Sequence, residues 1–210
     1  IFSTFSSLGI SIIFTLINYF LIVVGVLIFH AAFTYSVLLT SLAKINPFIF
    51  FSKMKEAIIF AFSTSSSSAT MPVTLKTVEE KLGVDKSVSS FCIPLGTTIN
   101  MDGTAIMQGV ATVFIAQVYQ VDLSMMEYLM VIITATLASI GTAGVPGVGL
   151  IMLAMVLQQV GLPVEGIALI IGVDRLLDML RTAVNVSGDA TISCIVANSE
   201  DQLSRRTFIS

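Results

Sequence analysis

Asp174-Arg175-Leu176-Leu177-Asp178-Met179-Leu180-Arg181-Thr182-Ala183-Val184-Asn185-Val186-Ser187-Gly188-Asp189 is the stretch on which the reading of this chain turns. At about 100° of rotation per residue, Asp174, Asp178, Arg181, Thr182, Asn185 and Asp189 fall on one stripe of a helix. The other faces carry Leu176, Leu177, Leu180, Val184 and Val186, so the helix turns its ionisable groups inward. Charge at membrane depth is costly unless it faces a cavity or a partner, which makes such a stripe a candidate functional site. A structural ion pair between Asp178 and Arg181 is the simpler alternative, but it leaves the rest of the stripe without a purpose.

Composition sets the solvent. Of 210 residues, 55% are hydrophobic and 11% charged, against about 25% charged in an ordinary soluble domain. The chain therefore reads as an integral membrane protein. The uncharged runs 1–43 and 129–164 each exceed the about 20 residues that one crossing needs, so both are expected to contain breaks. With Ile1 first and no basic leader, the sequence reads as a fragment. Cys92 and Cys194 are isolated and read as apolar fillers. His30, the one histidine, reads as a packing or interfacial residue.

The chain is punctuated twice in the same manner. An apolar helix over about residues 10–43 ends at Lys44-Ile45-Asn46-Pro47, a boundary signal. The next apolar stretch breaks at Ser65-Ser66-Ser67-Ser68-Ala69-Thr70-Met71-Pro72, and the later uncharged run breaks at Ala138-Ser139-Ile140-Gly141-Thr142-Ala143-Gly144-Val145-Pro146-Gly147. Each break is followed by a helix with an Asn and a Gly-flanked carboxylate, Asn100-Met101-Asp102-Gly103-Thr104 and then Asn185-Val186-Ser187-Gly188-Asp189. Broken apolar segments in corresponding halves point to a transporter's binding site. Lys44, Lys53 and Lys55 precede the first break and Lys76, Lys81 and Lys86 follow it, so a re-entrant hairpin keeps all six on one side of the membrane, whereas a full crossing would split them. The loops around Asp122, Glu127 and Glu165 lack Lys and Arg, as expected of the opposite face.

Irregular backbone at membrane depth must be buried or line a cavity, so the two tips are expected to meet. Opposed helix N-termini there favour an anion, and freed carbonyls favour a small hard cation. Arg181 offers a planar fork for a carboxylate, while Asp178 would accept from an ammonium group. Asp102 and Asp189, with the amides of Asn100 and Asn185, offer oxygen ligands suited to Na⁺.

The four motifs at 65–72, 100–104, 138–147 and 174–189 resemble those of the dicarboxylate/amino acid:cation symporter family, the glutamate transporters and their prokaryotic relatives. The resemblance runs from about residue 10 to the end of the chain and implies an all-α membrane protein covering the C-terminal half of that fold. It implies a transmembrane helix over 1–43 that ends the scaffold half, then a transport domain over 44–210. The latter would comprise a re-entrant hairpin at 47–81, an interrupted helix at 86–118, an oppositely oriented hairpin at 124–160 and a second interrupted helix at 166–205.

By position, the resemblance assigns substrate contacts to Ser66, Ser67, Thr104, Val145, Gly149, Asp178, Arg181, Thr182 and Asn185. It assigns sodium sites to Gly96, Asn100, Asn185 and Asp189; to Thr98, Ser139, Ile140 and Thr142; and to Asp102 with Asn100. The implied activity is sodium-coupled symport of aspartate, glutamate or a C4-dicarboxylate by an elevator motion gated by the second hairpin. Such a protein is not an enzyme, has no cofactor beyond Na⁺ as coupling ion, and binds no nucleic acid. It would lie in the cell membrane, the inner membrane if the source is a bacterium, as a multi-pass protein and a homotrimer joined through helices N-terminal to this chain. Ser65 and Met179 occupy the positions where acid-selective relatives carry a second arginine, leaving the choice among acidic substrates open. Gln108 replaces the glutamate of proton-coupled animal relatives, and Met107 a tyrosine that would stack on Arg181. An intramembrane aspartyl protease fits poorly, because Arg181 would keep neighbouring aspartates ionised; an anion channel is the remaining alternative.

Overall fold

With no proline or charge to interrupt it, the first apolar run forms one helical rod. The computed structural model describes residues 11–141 and 143–209, with side chains from Phe14 onward. Helix α1 (Ser11–Phe29) continues through a π-helical turn (His30–Tyr35), a short α segment (Ser36–Leu38) and a second π-helical turn (Leu39–Ala43). It stops where Lys44 turns left-handed at φ 54°. Phe14–Ala43 is, among the described residues, the one helix long and apolar enough by itself to cross a membrane.

Local capping chemistry places the next elements. Asn46 accepts from the Phe48 amide and Pro47 takes the first position of α2 (Pro47–Thr64), a position that needs no N–H. Ser65 is left-handed at φ 51°, and Ser66 caps α3 (Ser67–Glu80) by accepting from the Ala69 amide. Lys53 Nζ donates to Lys81 O at 2.9 Å, and Glu56 pairs with Lys81, so α3 folds back along α2. The serine run is thus a built tip. Asp85 caps α4 (Lys86–Ile99); hydrogen bonds from the Ser87 hydroxyl and amide hold its carboxyl below the usual range. Next come α5 (Asp102–Val118), then α6 (Met125–Ser139) with a Ser124/Glu127 capping box, and α7 (Val148–Gln159). A 3₁₀ turn (Val164–Gly166) leads into α8 (Ile167–Ser199), and α9 (Arg205–Ile209) ends the described chain.

The two helices expected to be interrupted differ. The first is split at Asn100 and Met101, both in non-helical conformations. The second is corrected: α8 runs unbroken for 33 residues. Its break-prone Asn185-Val186-Ser187-Gly188 stays helical with the Asn185 side chain engaged by the Gly103 amide of α5 rather than by its own backbone. The absence of a side chain at Gly188 admits Tyr35 and Asn100 close to the backbone.

Contacts between helix ends gather several of the basic residues. Arg205 donates to the carbonyls of Lys44 and Ala43, Lys53 Nζ to Thr207 O, and Ser204 N to Gly83 O. Lys44, Lys53, Lys81 and Arg205 therefore share one end. Gly166 packs on Ile115 so closely that a Cβ would lie 2.6 Å from its Cγ2, which sets the start of α8 beside the end of α5. A 33-residue helix rises about 50 Å, so the loops bearing Asp122 and Glu165 lie at the far end. The α2–α3 hairpin starts at the end that holds Lys44 and Arg205, and α6 follows the loop that bears Asp122.

Helix α8 lies between two buried apolar clusters. One joins Tyr19, Val23 and Leu27 of α1 to Met107, Phe114, Leu153 and Leu177. The other joins Leu39, Phe50, Met54, Val78 and Leu82 to Val186, Ala190 and Cys194. Arg181, Asn185, Asp189 and Ser193 are buried, whereas Phe14, Leu137 and Ile151 are each about two-thirds exposed. Polar interior with apolar exterior is the arrangement suited to lipid.

Gly83, at φ +77°, has Ser204 O where a Cβ would come within 2.6 Å. Gly83→Ala should cost more than about 1 kcal/mol and lower the thermal midpoint in detergent. Gly25→Ala, whose Cβ meets nothing within 4 Å, should not.

Candidate functional site

A helix that stops inside a protein leaves amides and carbonyls in need of partners, and here the two hairpin tips supply them to each other. Ser68 N donates to Gly144 O at 3.1 Å and Ser66 Oγ to the same oxygen at 2.7 Å. A Cβ at Gly144 would come 2.8 Å from Ser68 Oγ, so a side chain there would push the tips apart. The second tip also reaches the break after α4, where Gly141 N donates to Thr98 O at 3.1 Å. Gly147 N donates to Asp178 Oδ2 at 3.1 Å.

Beneath these contacts lies a small cavity lined by Ser65, Ser67, Met101, Thr104, Ala143, Gly144, Val145, Gly149, Asp178, Thr182 and Asn185. Seven of the nine expected substrate residues are in that lining. Ser66 is an eighth element of the site by its bond to Gly144. The cavity is about 20 Å³, on a scale where one water needs about 10–15 Å³. It admits a water or two in this conformation and is too small for a molecule of amino-acid size.

Arg181 stands behind the lining. Its side chain is 1% exposed, with Nη1 2.9 Å from Asp174 Oδ1 and Nη2 2.8 Å from Asp178 Oδ1. Gly149, which lines the cavity, is also its neighbour, since a Cβ there would lie 3.6 Å from Nη2. Nε has no partner in the described structure. A buried guanidinium needs neutralisation, and Asp174, one end of the polar stripe, provides part of it. The sequence placed Asp174 on the stripe but gave it no role.

The cation-site expectation divides into three groups. Asn100 Nδ2 donates to Asp189 Oδ1 at 2.9 Å, and a Cβ on Gly96 would come 2.5 Å from that oxygen. Asn185 Oδ1 accepts from Gly103 N at 2.8 Å, tying the start of α5 to α8. These residues are brought together. Thr98 and Ile140 are exposed and Ser139 is buried, with the Gly141–Thr98 bond joining their segments. Thr142 lies outside the described residues. Asp102 is the third group, and its surroundings revise the sequence reading. His30, expected to be a packing or interfacial residue, has Nε2 3.1 Å from Asp102 Oδ2, and Tyr35 Oη donates to the same oxygen at 2.9 Å. A contact 72 residues apart leaves no local trace in a sequence.

Among the described residues no three His, Cys, Asp or Glu side chains gather as a metal cluster. The donors present are carboxylates, amide oxygens and the carbonyls of the α4 terminus, a set that fits a hard monovalent cation better than a transition metal.

Residues 1–199 match the sodium:dicarboxylate symporter family. The chain belongs to that family. Excitatory amino acid transporter 1 of Rattus norvegicus is 47% identical over 186 residues, covering 88% of this chain and 34% of the relative. An excitatory amino acid transporter of Caenorhabditis elegans is 47% identical over 178 residues, 85% of this chain and 35% of the relative. Excitatory amino acid transporter 3 of Oryctolagus cuniculus is 54% identical over 145 residues, 69% and 28% respectively. The chain thus spans about a third of the length of these curated relatives. The four motifs on which the sequence resemblance rested all lie inside the span matched to the symporter family.

Truncating one partner of the buried Arg181 pair strands charge in the interior, so Asp174→Ala should destabilise the folded protein by about 3–5 kcal/mol. Chemical denaturation in detergent, with the exposed Glu165→Ala as reference, measures the difference.

Proposed function

We propose that this chain forms the substrate- and cation-binding part of a sodium-coupled symporter for acidic amino acids or C4-dicarboxylates in the cell membrane. The observation that carries the proposal is the meeting of the two tips at Gly144 over a cavity lined by Asp178, Thr182 and Asn185, with Arg181 directly behind. The family and its excitatory amino acid transporters support the same reading.

In this reading both hairpins re-enter the membrane, one from each face. A substrate carboxylate takes Arg181, exchanging with one of the two aspartates that neutralise it, while Asp178 receives the substrate ammonium group. Ser66, Ser67, Thr104, Val145, Gly149, Thr182 and Asn185 complete the shell. Sodium binds at Gly96, Asn100, Asn185 and Asp189, at Thr98, Ser139, Ile140 and Thr142, and at Asp102 with Asn100. The second tip gates the site: Ala143 and Val145 are exposed, whereas Ser65, Ser66 and Ser67 of the first tip are buried. The gated core then moves as an elevator against a trimeric scaffold formed by preceding helices.

Reconstituted protein should take up aspartate saturably and only with an inward sodium gradient. Flux that follows voltage without sodium would instead mark an anion channel. Arg181→Cys should abolish acidic-substrate binding; unchanged aspartate affinity would remove the carboxylate-clamp role. Asp189→Asn should raise the sodium needed for half-maximal aspartate binding by about tenfold, the loss of one charge-assisted interaction. An unaltered sodium dependence would take Asp189 out of the cation site.

A further inference from the structure

The rod that precedes the first hairpin reaches into the cation region through His30 and through the buried hydroxyl of Tyr35. Tyr35 is 2% exposed. Its Oη lies 2.9 Å from Asp102 Oδ2 and 3.2 Å from Val184 O, so one side chain of the rod touches α5 and α8 at once. Tyrosine has one proton to donate. The shorter contact, to a carboxylate, takes it.

Two independent features of the backbone are fitted to this contact. First, His30 and Tyr35 open and close a π-helical turn and meet the same carboxylate oxygen. In a regular α-helix residues five apart point about 140° away from each other; a turn closed by i→i+5 bonds brings them round towards one side. Such turns are rare and are found frequently at functional sites. Second, Gly188 is the place where Tyr35 and Asn100 converge on α8. A Cβ there would come 2.7 Å from Tyr35 Oη and 2.7 Å from Asn100 Nδ2. Asn100 in turn donates to Asp189. The hydroxyl therefore packs within a chain of contacts that runs from Asp102 to Asp189 through the break between α4 and α5.

We propose that Tyr35 is a positioning residue for the cation site, holding the Asp102 carboxylate in the orientation that sodium requires and fixing the side of Gly188 on which Asn100 approaches Asp189. The proposal rests on the reading of Asp102, Asn100 and Asp189 as sodium ligands given above. Tyr35 itself need not touch the ion. Its hydroxyl limits the rotamers of Asp102, so that less freedom is lost when a cation binds. The ring alone, without Oη, would still fill the space between α1 and α8.

Tyr35→Phe tests this, because it keeps the ring and removes the bond. Tyr19→Phe is the control: Tyr19 Oη is also buried but has no hydrogen-bond partner among the described residues. Three readings are taken on the reconstituted protein: the sodium concentration that half-maximally stabilises it against heat without substrate, aspartate affinity at saturating sodium, and the melting temperature without sodium. Tyr35→Phe should raise the first by about tenfold, the scale of one hydrogen bond to a charged group, while the other two stay near wild type. Tyr19→Phe should alter none of the three. An unchanged sodium midpoint in Tyr35→Phe overturns the proposal, and so does a fall in sodium-free melting temperature with no change in that midpoint, which marks a purely structural bond. If wild type shows no sodium-dependent stabilisation, the symporter reading itself fails, which is a different result from a normal wild-type midpoint that Tyr35→Phe leaves in place.

Discussion

A permanent positive charge buried at Arg181 is the constraint from which the architecture around α8 follows. A guanidinium with 1% of its surface exposed cannot shed its proton, so carboxylates must come to it. Asp174 and Asp178 do so from the same helix, at seven and three residues' distance, which obliges that face of α8 to lie against protein. Asp178 then recruits the second hairpin through the Gly147 amide, and Gly149 brings that hairpin's returning helix close to the guanidinium. The electrostatic need of one side chain thus organises a helix face and a tip.

The second organising element is the interruption at Asn100 and Met101. By ending α4 early, the chain exposes carbonyls at the C-terminus of one half-helix and starts another at Asp102 with its positive dipole end. Thr98 O receives Gly141 N, Gly103 N is taken by Asn185, and Asp189 is held by Asn100. The small cavity and the oxygen-rich region lie on either side of the same short segment, and in the proposed function that segment is what links the second tip to both.

Much of this was legible in residue order. The polar stripe of α8 announced an inward face, the serine and glycine-proline tips announced two breaks, and the lysine distribution announced which loops share an end. Each is a local or periodic signal. What could not be read depends on distance along the chain or on backbone detail. His30 looked inert because its partner Asp102 is 72 positions away; Tyr35 drew no attention because hydroxyls on an apolar helix carry no pattern. The continuity of α8 went against its own Asn-Val-Ser-Gly because neighbours, not propensity, decide whether such residues bend a helix. Arg181 was read as a fork waiting for a ligand, and its engagement with Asp174 required coordinates.

The joint between the two tips constrains its two sides differently. Its central bond runs from one backbone amide to one backbone carbonyl, Ser68 to Gly144, and so is indifferent to what side chain position 68 carries. The intolerance is on the other partner, where even a methyl group would collide. The constraint at position 144 is therefore one of volume, whereas Ser66 on the facing elbow is held by chemistry, because its hydroxyl both bonds the Gly144 carbonyl and caps the returning helix.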